Sequence, residues 1–120
     1  MTSSVVTLSA DSLRTFVQSL FEAAQVSSAE AALVAESLVD SNLCGHESHG
    51  VMRVMEYLDC LQRNELRANA PLQVLQQTHA MLMCDGGFGF GQLQMRRLIE
   101  QLIPMARQEG IACGTIRRCG

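Results

Sequence analysis

The sequence predicts a mixed α/β fold, in which a helical hairpin and a third helix are followed by short strands and a long helix. Three observations lead to this prediction. Apolar residues recur at helical spacing through the first half of the chain, whereas two short apolar runs near its middle have the length of strands. A glycine cluster then separates those runs from another long amphipathic stretch. With 120 residues, the chain suits one domain.

The first two predicted helices form an antiparallel hairpin. Ser9 is a good N-cap residue, and the apolar spacing behind it predicts a helix from about Ala10 to Ala24. Ser27 and Glu30 have the spacing of a capping box, in which each side chain accepts a hydrogen bond from the other residue's backbone N–H. The second helix runs to about Leu43, and the short connection favours two helices that bury one apolar face against each other.

A third helix and a hairpin of strands come next. The helix is expected from near His49 to about Gln62, after the polar, glycine-containing segment 45–50. The runs Leu72–Gln76 and Ala80–Cys84 are typical of short strands, and the three residues between them suit a hairpin.

The last predicted elements are a long helix and a strand. The glycine cluster, DGGFGFG at residues 85–91, leads into a helix over about Gly91–Gln108, which Gly110 ends. Pro104 lies inside that helix and is expected to kink it or to start a new turn. A strand is predicted over Ile111–Ile116.

Composition excludes several classes of function. All nine basic residues are arginine, so neither a lysine Schiff base nor a Walker-type phosphate loop is available. The formal charge of -3 argues against nucleic-acid binding, and no apolar run approaches the roughly 18 residues of a membrane span. The segment Met1–Val6 does not have the pattern of a signal peptide. Five cysteines without a CxxC pair predict reduced thiols in the cytoplasm, which act mostly as small apolar side chains.

Two clusters suggest ligands and do not match the corresponding motifs. A dinucleotide fingerprint needs a glycine where Gln92 stands, so the glycine cluster does not match that fingerprint. The glycine cluster is then either a tight turn from a strand into a helix or a loop that lies close to a ligand. Cys44, His46 and His49 have a spacing that matches no common zinc site, so we expect no metal.

The predicted third helix carries the most informative pattern. With 100° per residue, His49, Arg53 and Tyr57 form one continuous polar stripe opposite the apolar face. Arg53 suits a carboxylate, because its guanidinium donates two parallel hydrogen bonds. His49 can transfer a proton to or from a neighbouring oxygen, while Ser48 and Tyr57 can add hydrogen bonds. The alternative is an ordinary solvated helix face. A Ser48–His49 nucleophilic dyad is not expected, because adjacent side chains at a helix start point in different directions.

These motifs together resemble the malate/L-lactate dehydrogenase family of the second, non-Rossmann type. The resemblance runs from about Leu8 to Gly120 and rests on GHESHGV, Arg53, Tyr57, DG, GQ, AR and GIA in this order. It implies hydride exchange between NAD or NADP and a small 2-oxo or 2-hydroxy acid, in a homodimer. It also implies that His49 is the acid/base and that Arg53 holds the substrate carboxylate, with Ser48 and Tyr57 in the same pocket.

The sequence departs from the family at its C-terminal end. Members of the family continue beyond this point and place a second functional histidine directly after the last strand, whereas this sequence ends at RRCG. We therefore expect residues 1–120 to be an incomplete N-terminal part, an α+β fragment without most of the cofactor site and inactive alone. The alternative is a non-catalytic module, left from a truncated enzyme, that binds a carboxylate or a partner protein.

Overall fold

A computed structural model describes residues 4–120 and confirms the mixed α/β fold. The first three residues of the segment considered for a signal peptide lie outside the described residues. Two short 3₁₀ turns, Glu47–His49 and Val51–Arg53, precede the third helix. The remaining elements are, in chain order, α1 Ala10–Ala23, α2 Ser28–Leu43, α3 Val54–Gln62, β1 Gln73–Gln77, β2 Met81–Gly89, α4 Gly91–Glu109 and β3 Cys113–Cys119.

The helical hairpin is confirmed. Ser9 caps α1, since its Oγ accepts a hydrogen bond from the Ser12 N–H at 3.1 Å. Arg14 near the start of α1 pairs with Asp40 near the end of α2 at 2.7 Å, so the two helices are antiparallel. Their facing sides supply much of the main hydrophobic core, which includes Val17, Phe21, Val34 and Leu38.

The capping box forms only in part. Ser27 Oγ accepts a hydrogen bond from the Glu30 N–H, as predicted. The Glu30 carboxylate does not return to the Ser27 N–H, which instead donates to Asn69 Oδ1 at 3.0 Å. Glu30 accepts from the Asn69 N–H at 2.8 Å and from Arg97 at 3.3 Å. The prediction was wrong on this point because Glu30 is buried, and its partners come from distant parts of the chain.

A three-stranded sheet has the order β1-β2-β3. β1 and β2 form the predicted antiparallel hairpin, whereas β2 and β3 are parallel and are connected through α4. The observed strands begin one or two residues after the predicted ones; β1 and β3 end one and three residues later, and β2 ends five residues later. A second, smaller core joins α4 to the sheet, and its buried members are Leu82, Cys84 and Leu98.

The glycine cluster differs from its prediction as a turn. β2 continues through it to Gly89, so only Phe90 separates the strand from α4. The pairing of β2 with β3 is irregular between Asp85 and Gly89, and Gly87 and Phe88 have φ values of 57° and 61°. The cluster therefore supplies positive φ, as expected, at a bulge inside the strand.

The long helix agrees with its prediction, while the thiols agree only in part. α4 contains Pro104, and Gly110 ends it in the left-handed conformation at φ 86°. The kink at Pro104 stays a prediction. The cysteines within the described residues are all unpaired, but Cys84 is the one that is buried; Cys44, Cys113 and Cys119 are exposed. Their exposure contradicts the expectation that most thiols act as apolar packing groups.

A buried amide joins the helices to the sheet. Gln94 on α4 is 0% exposed, and its Nε2 donates to the carbonyl oxygens of Ala70 and Gly86, both at 2.9 Å. Arg97 donates to the same Ala70 oxygen at 2.8 Å and to Gln94 Oε1 at 3.3 Å. Its other amino group pairs with Glu30 at the start of α2. We call these residues, with Asn69, the Gln94 network.

Replacing Gln94→Leu is expected to lower the free energy of unfolding by about 2–4 kcal/mol, because two backbone carbonyls lose their amide donor inside the protein. Urea denaturation measures the change. Gln101→Leu is the matched control, since Gln101 is exposed on the same helix. An equal, small effect of both substitutions would show that the Gln94 network does not stabilise the fold.

Candidate active site

The predicted site residues, Ser48 to Tyr57, lie between the end of α2 and the first turn of α3, and this segment is not one helix. Gly50 separates the two 3₁₀ turns in an extended conformation, with φ −92° and ψ −156°. The hydrogen bonds from His49 N to His46 O and from Gly50 N to Glu47 O both span three residues. The predicted helix start near His49 was therefore wrong. His49 does not share a continuous helical stripe with Arg53 and Tyr57.

Asn42 fixes this loop, a role that sequence analysis missed. Its Oδ1 accepts a hydrogen bond from the Val51 N–H at 2.8 Å. Gly50 is buried beneath the same side chain, and a Cβ atom at Gly50 would overlap the Asn42 amide. The glycine thus permits the approach of Asn42. The Ser-His-Gly run gave a hint of such a constraint, but its partner lies in another element.

Ser48 and His49 are exposed neighbours whose side chains meet. Ser48 Oγ lies 3.1 Å from His49 Nδ1. The two side chains therefore do not point apart, contrary to the reason given against a dyad, because they lie in a 3₁₀ turn. The contact occupies Nδ1 and leaves Nε2 for another group. No carboxylate among residues 4–120 is within hydrogen-bond distance of the His49 ring.

Arg53 is half-exposed and already has an anionic partner. Its Nη1 lies 2.8 Å from Glu56 Oε2, one turn further along the chain. A guanidinium has a second amino group with which it can bind another carboxylate. The side chain is thus suited to a carboxylate ligand, and an external one would compete with or join Glu56.

Tyr57 faces inward rather than along an open stripe. Its ring centroid lies 6.4 Å from that of Phe21 and 5.9 Å from that of Phe90, within the main core. The hydroxyl accepts a hydrogen bond from Gln92 Nε2 at 3.0 Å. Gln92 belongs to the GQ motif but received no role from the sequence. Its Oε1 is buried and has no hydrogen-bond partner among the described residues.

The structure thus brings the predicted residues together only in part. Ser48 contacts His49, whereas Arg53 binds Glu56 and Tyr57 binds Gln92. Within residues 4–120, no hydrogen bond or ion pair joins the side chains of His49, Arg53 and Tyr57.

The start of α4 does not offer an open phosphate site. The Gly91 N–H donates to the Gly120 carbonyl, and the Gly120 N–H donates to Gly89 O at 3.0 Å. A Cβ atom on Gly91 would overlap that Gly120 carbonyl. Gly91 thus leaves room for the backbone of Gly120, which occupies the helix start. This helix start therefore does not fit the pyrophosphate of a dinucleotide cofactor.

No three His, Cys, Asp or Glu side chains in the described part of the chain are grouped so as to hold a metal ion. None of the helices between residues 4 and 120 has the length and apolar character required to cross a bilayer.

Asp85, the first residue of the DG motif, is a buried anion. Its carboxylate is 2% exposed and pairs with Arg118 at 2.7 Å and with Arg117 at 2.9 Å. It also accepts a hydrogen bond from the Gly87 N–H at 2.9 Å. The hydrogen bond from Arg118, and then that from Gly87, lowers the pKa of Asp85 from its ordinary 3.8 to about 2.

Comparisons with known proteins agree with one another. The family model described as malate/L-lactate dehydrogenase matches residues 8–120. Hydroxycarboxylate dehydrogenase B of Escherichia coli K12 is 32% identical over 103 residues, which cover 86% of this chain and 28% of that protein. L-Lactate dehydrogenase of Cupriavidus necator is 30% identical over 111 residues, which cover 92% of this chain and 32% of that protein.

Solved structures show the same likeness. Malate dehydrogenase from Pyrococcus horikoshii superposes with a TM-score of 0.91 at 27% identity, covering 96% of this chain and 33% of that one. Δ1-Piperideine-2-carboxylate reductase from Pseudomonas syringae gives a TM-score of 0.85 at 27% identity, covering 94% and 34%. The chain therefore spans about a third of the length of the relatives that it matches.

Replacing Gly50→Ala is expected to lower the free energy of unfolding by about 1–2 kcal/mol, because the new Cβ displaces Asn42 and breaks its hydrogen bond to Val51. A double-mutant cycle with Asn42→Ala, followed by urea denaturation, measures the coupling. In the Asn42→Ala background the cost of Gly50→Ala should fall to nearly zero. Equal costs in both backgrounds would contradict this account.

Asp85 should make stability depend on pH at the acid end. Its pKa is lower in the folded chain than in the unfolded one, so its stabilisation is complete above about pH 4 and is lost as the pH falls through about 2. Asp85→Asn should therefore lower the melting temperature at pH 7. The difference from the parent should shrink between about pH 4 and 2.

The melting temperature is followed by circular dichroism for both proteins across this range. Asp59→Asn serves as the control, because Asp59 is exposed. A difference between parent and Asp85→Asn that stayed constant down to pH 2 would rule out the ion pairs as its source.

Proposed function

The chain belongs to the malate/L-lactate dehydrogenase family, and we propose that it is the N-terminal part of an NAD- or NADP-dependent oxidoreductase of small 2-oxo or 2-hydroxy acids. The match of the family over residues 8–120 carries this proposal. Relatives named hydroxycarboxylate, malate and L-lactate dehydrogenase support the class of substrate. The proposed enzyme acts in the cytoplasm as a homodimer.

In this proposal His49 is the acid/base. Its contact with Ser48 holds the imidazole by Nδ1, so Nε2 is the nitrogen that exchanges a proton with the oxygen on the substrate's second carbon. When the Nδ1–H donates to Ser48 Oγ, the neutral ring carries its lone pair on Nε2 and acts as the base. The imidazolium that forms when Nε2 takes up a proton acts as the acid in the opposite direction. The exposure of the loop supports access of a substrate to this nitrogen.

Arg53 holds the substrate carboxylate in the proposal. Arg53 already forms an ion pair with the Glu56 carboxylate at a half-exposed position. This contact supports Arg53 as the residue that binds the substrate carboxylate. Ser48 and Tyr57 line the same pocket, and Gln92 fixes the Tyr57 hydroxyl. A nicotinamide cofactor would supply or accept the hydride. The start of α4 does not fit the pyrophosphate of this cofactor, so we assign no residue of this chain to cofactor binding.

The second candidate is a non-catalytic module that binds a carboxylate or a partner protein. One observation favours it as the alternative: the start of α4 is filled by Gly120. Both candidates use Arg53 as an anion-binding group, so turnover rather than binding distinguishes them.

Activity is measured as oxidation of NADH and NADPH with pyruvate and oxaloacetate. The 120-residue chain alone should show negligible turnover. In a chain extended by any in-frame sequence after codon 120, His49→Ala should lower kcat by about 10²- to 10⁴-fold, because the proton transfer is lost. Arg53→Ala should chiefly raise KM, since the carboxylate loses its partner. Arg63→Ala is the control, because Arg63 is exposed and pairs only locally with Glu65.

Each alternative result has a separate meaning. Turnover by the 120 residues alone would contradict their proposed incompleteness. Unchanged kcat and KM in both variants would contradict the roles of His49 and Arg53. If the extended chain binds these acids without turnover, the non-catalytic module is favoured.

A further inference from the structure

A cavity of about 330 Å³ lies beside the bulge of β2, on residues that the proposed dehydrogenase site does not use. Its lining includes the polar residues Arg67, Gln73, Asp85 and Arg118 and the small residues Ala70 and Gly87. None of these residues is Ser48, His49, Arg53 or Tyr57, so the cavity can be considered independently of the proposed reaction. We call it the Arg67 cavity.

Two guanidinium groups are held at this cavity by one aromatic ring. Arg67 Cζ lies 5.5 Å and Arg118 Cζ lies 5.2 Å from the centroid of Phe88, both within the range of cation–π contacts. The Arg67 N–H also donates to the Phe88 carbonyl at 2.7 Å. Phe88 and Arg118 both have positive φ, which is uncommon for such side chains. Both guanidinium groups thus contact the same ring, and both residues line the same cavity.

The charges around the cavity do not balance. Two cations, Arg67 and Arg118, line the cavity together with one acid, Asp85, which pairs with Arg118. Within residues 4–120, no carboxylate lies within 4 Å of the Arg67 guanidinium. One positive charge therefore remains in excess on the cavity lining, in a chain whose formal charge is -3. This excess favours an anionic ligand.

We propose that the Arg67 cavity binds a phosphate group, with Arg67 as the principal ligand and Arg118 as the second. A guanidinium matches phosphate oxygens through paired N–H donors, and two of them suit a dianion better than a single carboxylate. Asp85 lines the cavity, but its charge is taken up by Arg117 and Arg118, so it holds Arg118 in place rather than repelling the ligand.

The test is titration of the 120-residue chain with inorganic phosphate by isothermal calorimetry, with chloride adjusted to keep the ionic strength constant. We expect saturable binding of one phosphate at millimolar concentration or below. Arg67→Gln should weaken this binding by about tenfold or more, and Arg67→Lys by less, because lysine keeps the charge and loses the paired donors. Circular dichroism establishes that each variant folds.

Arg63→Gln is the matched control. Arg63 lies four residues away and is exposed, but it pairs with Glu65 at 3.0 Å and does not line the cavity. Its binding should stay within about twofold of the parent. Phosphate binding that does not saturate would overturn the proposal. Equal losses of phosphate affinity in Arg63→Gln and Arg67→Gln would also overturn it, because phosphate would then respond only to the net charge of the protein.

A parallel titration with phenyl phosphate identifies the source of the phosphate group. Tighter binding of the ester than of inorganic phosphate supports a phosphorylated metabolite as the ligand, and the reverse order supports free phosphate. Failure of both would overturn the site without bearing on the dehydrogenase proposal, since no step of that reaction uses these residues.

Discussion

The Gln94 network is the constraint on which the rest of the structure depends. The larger core belongs mainly to the helices and the smaller one to α4 and the sheet, and the loop before β1 contributes Leu66 to the first and Leu72 to the second. The backbone carbonyl of Ala70 in that loop would be unpaired without Gln94 and Arg97. Because a buried polar group without a partner is costly, this network fixes how the helices and the sheet meet.

The loop that carries Ser48 and His49 is fixed by one hydrogen bond from its backbone to a side chain of α2. Asn42 belongs to α2 and reaches the Val51 N–H across Gly50, so the end of one helix determines where the next begins. His49 is therefore part of a short turn with its own orientation, whereas Arg53 lies directly before α3 and Tyr57 lies in its first turn. A ligand that contacts all three residues would therefore meet two separately supported pieces of backbone.

Local signals predicted most elements well, and distant contacts explain the errors. The caps at Ser9 and Ser27 and the end at Gly110 depend on neighbours within one turn, which the sequence displays. The second half of the capping box failed because Asn69, 39 residues from Glu30, supplies its partner. The residues of the candidate site were recognisable by type and order. Their grouping was not, because Gly50 interrupts the helix and Gln92 reaches Tyr57 from α4.

The parallel pairing of β2 with β3 has a consequence for synthesis on the ribosome. The contacts between α1 and α2 join segments that are close in sequence, so they can form as soon as both helices have emerged. β2 must wait for the whole of α4 and then for Cys113–Cys119 before its second edge is paired. During that interval the strand that carries Met81 and Met83 has one unpaired edge. Such an edge can pair with another nascent chain or be bound by a chaperone.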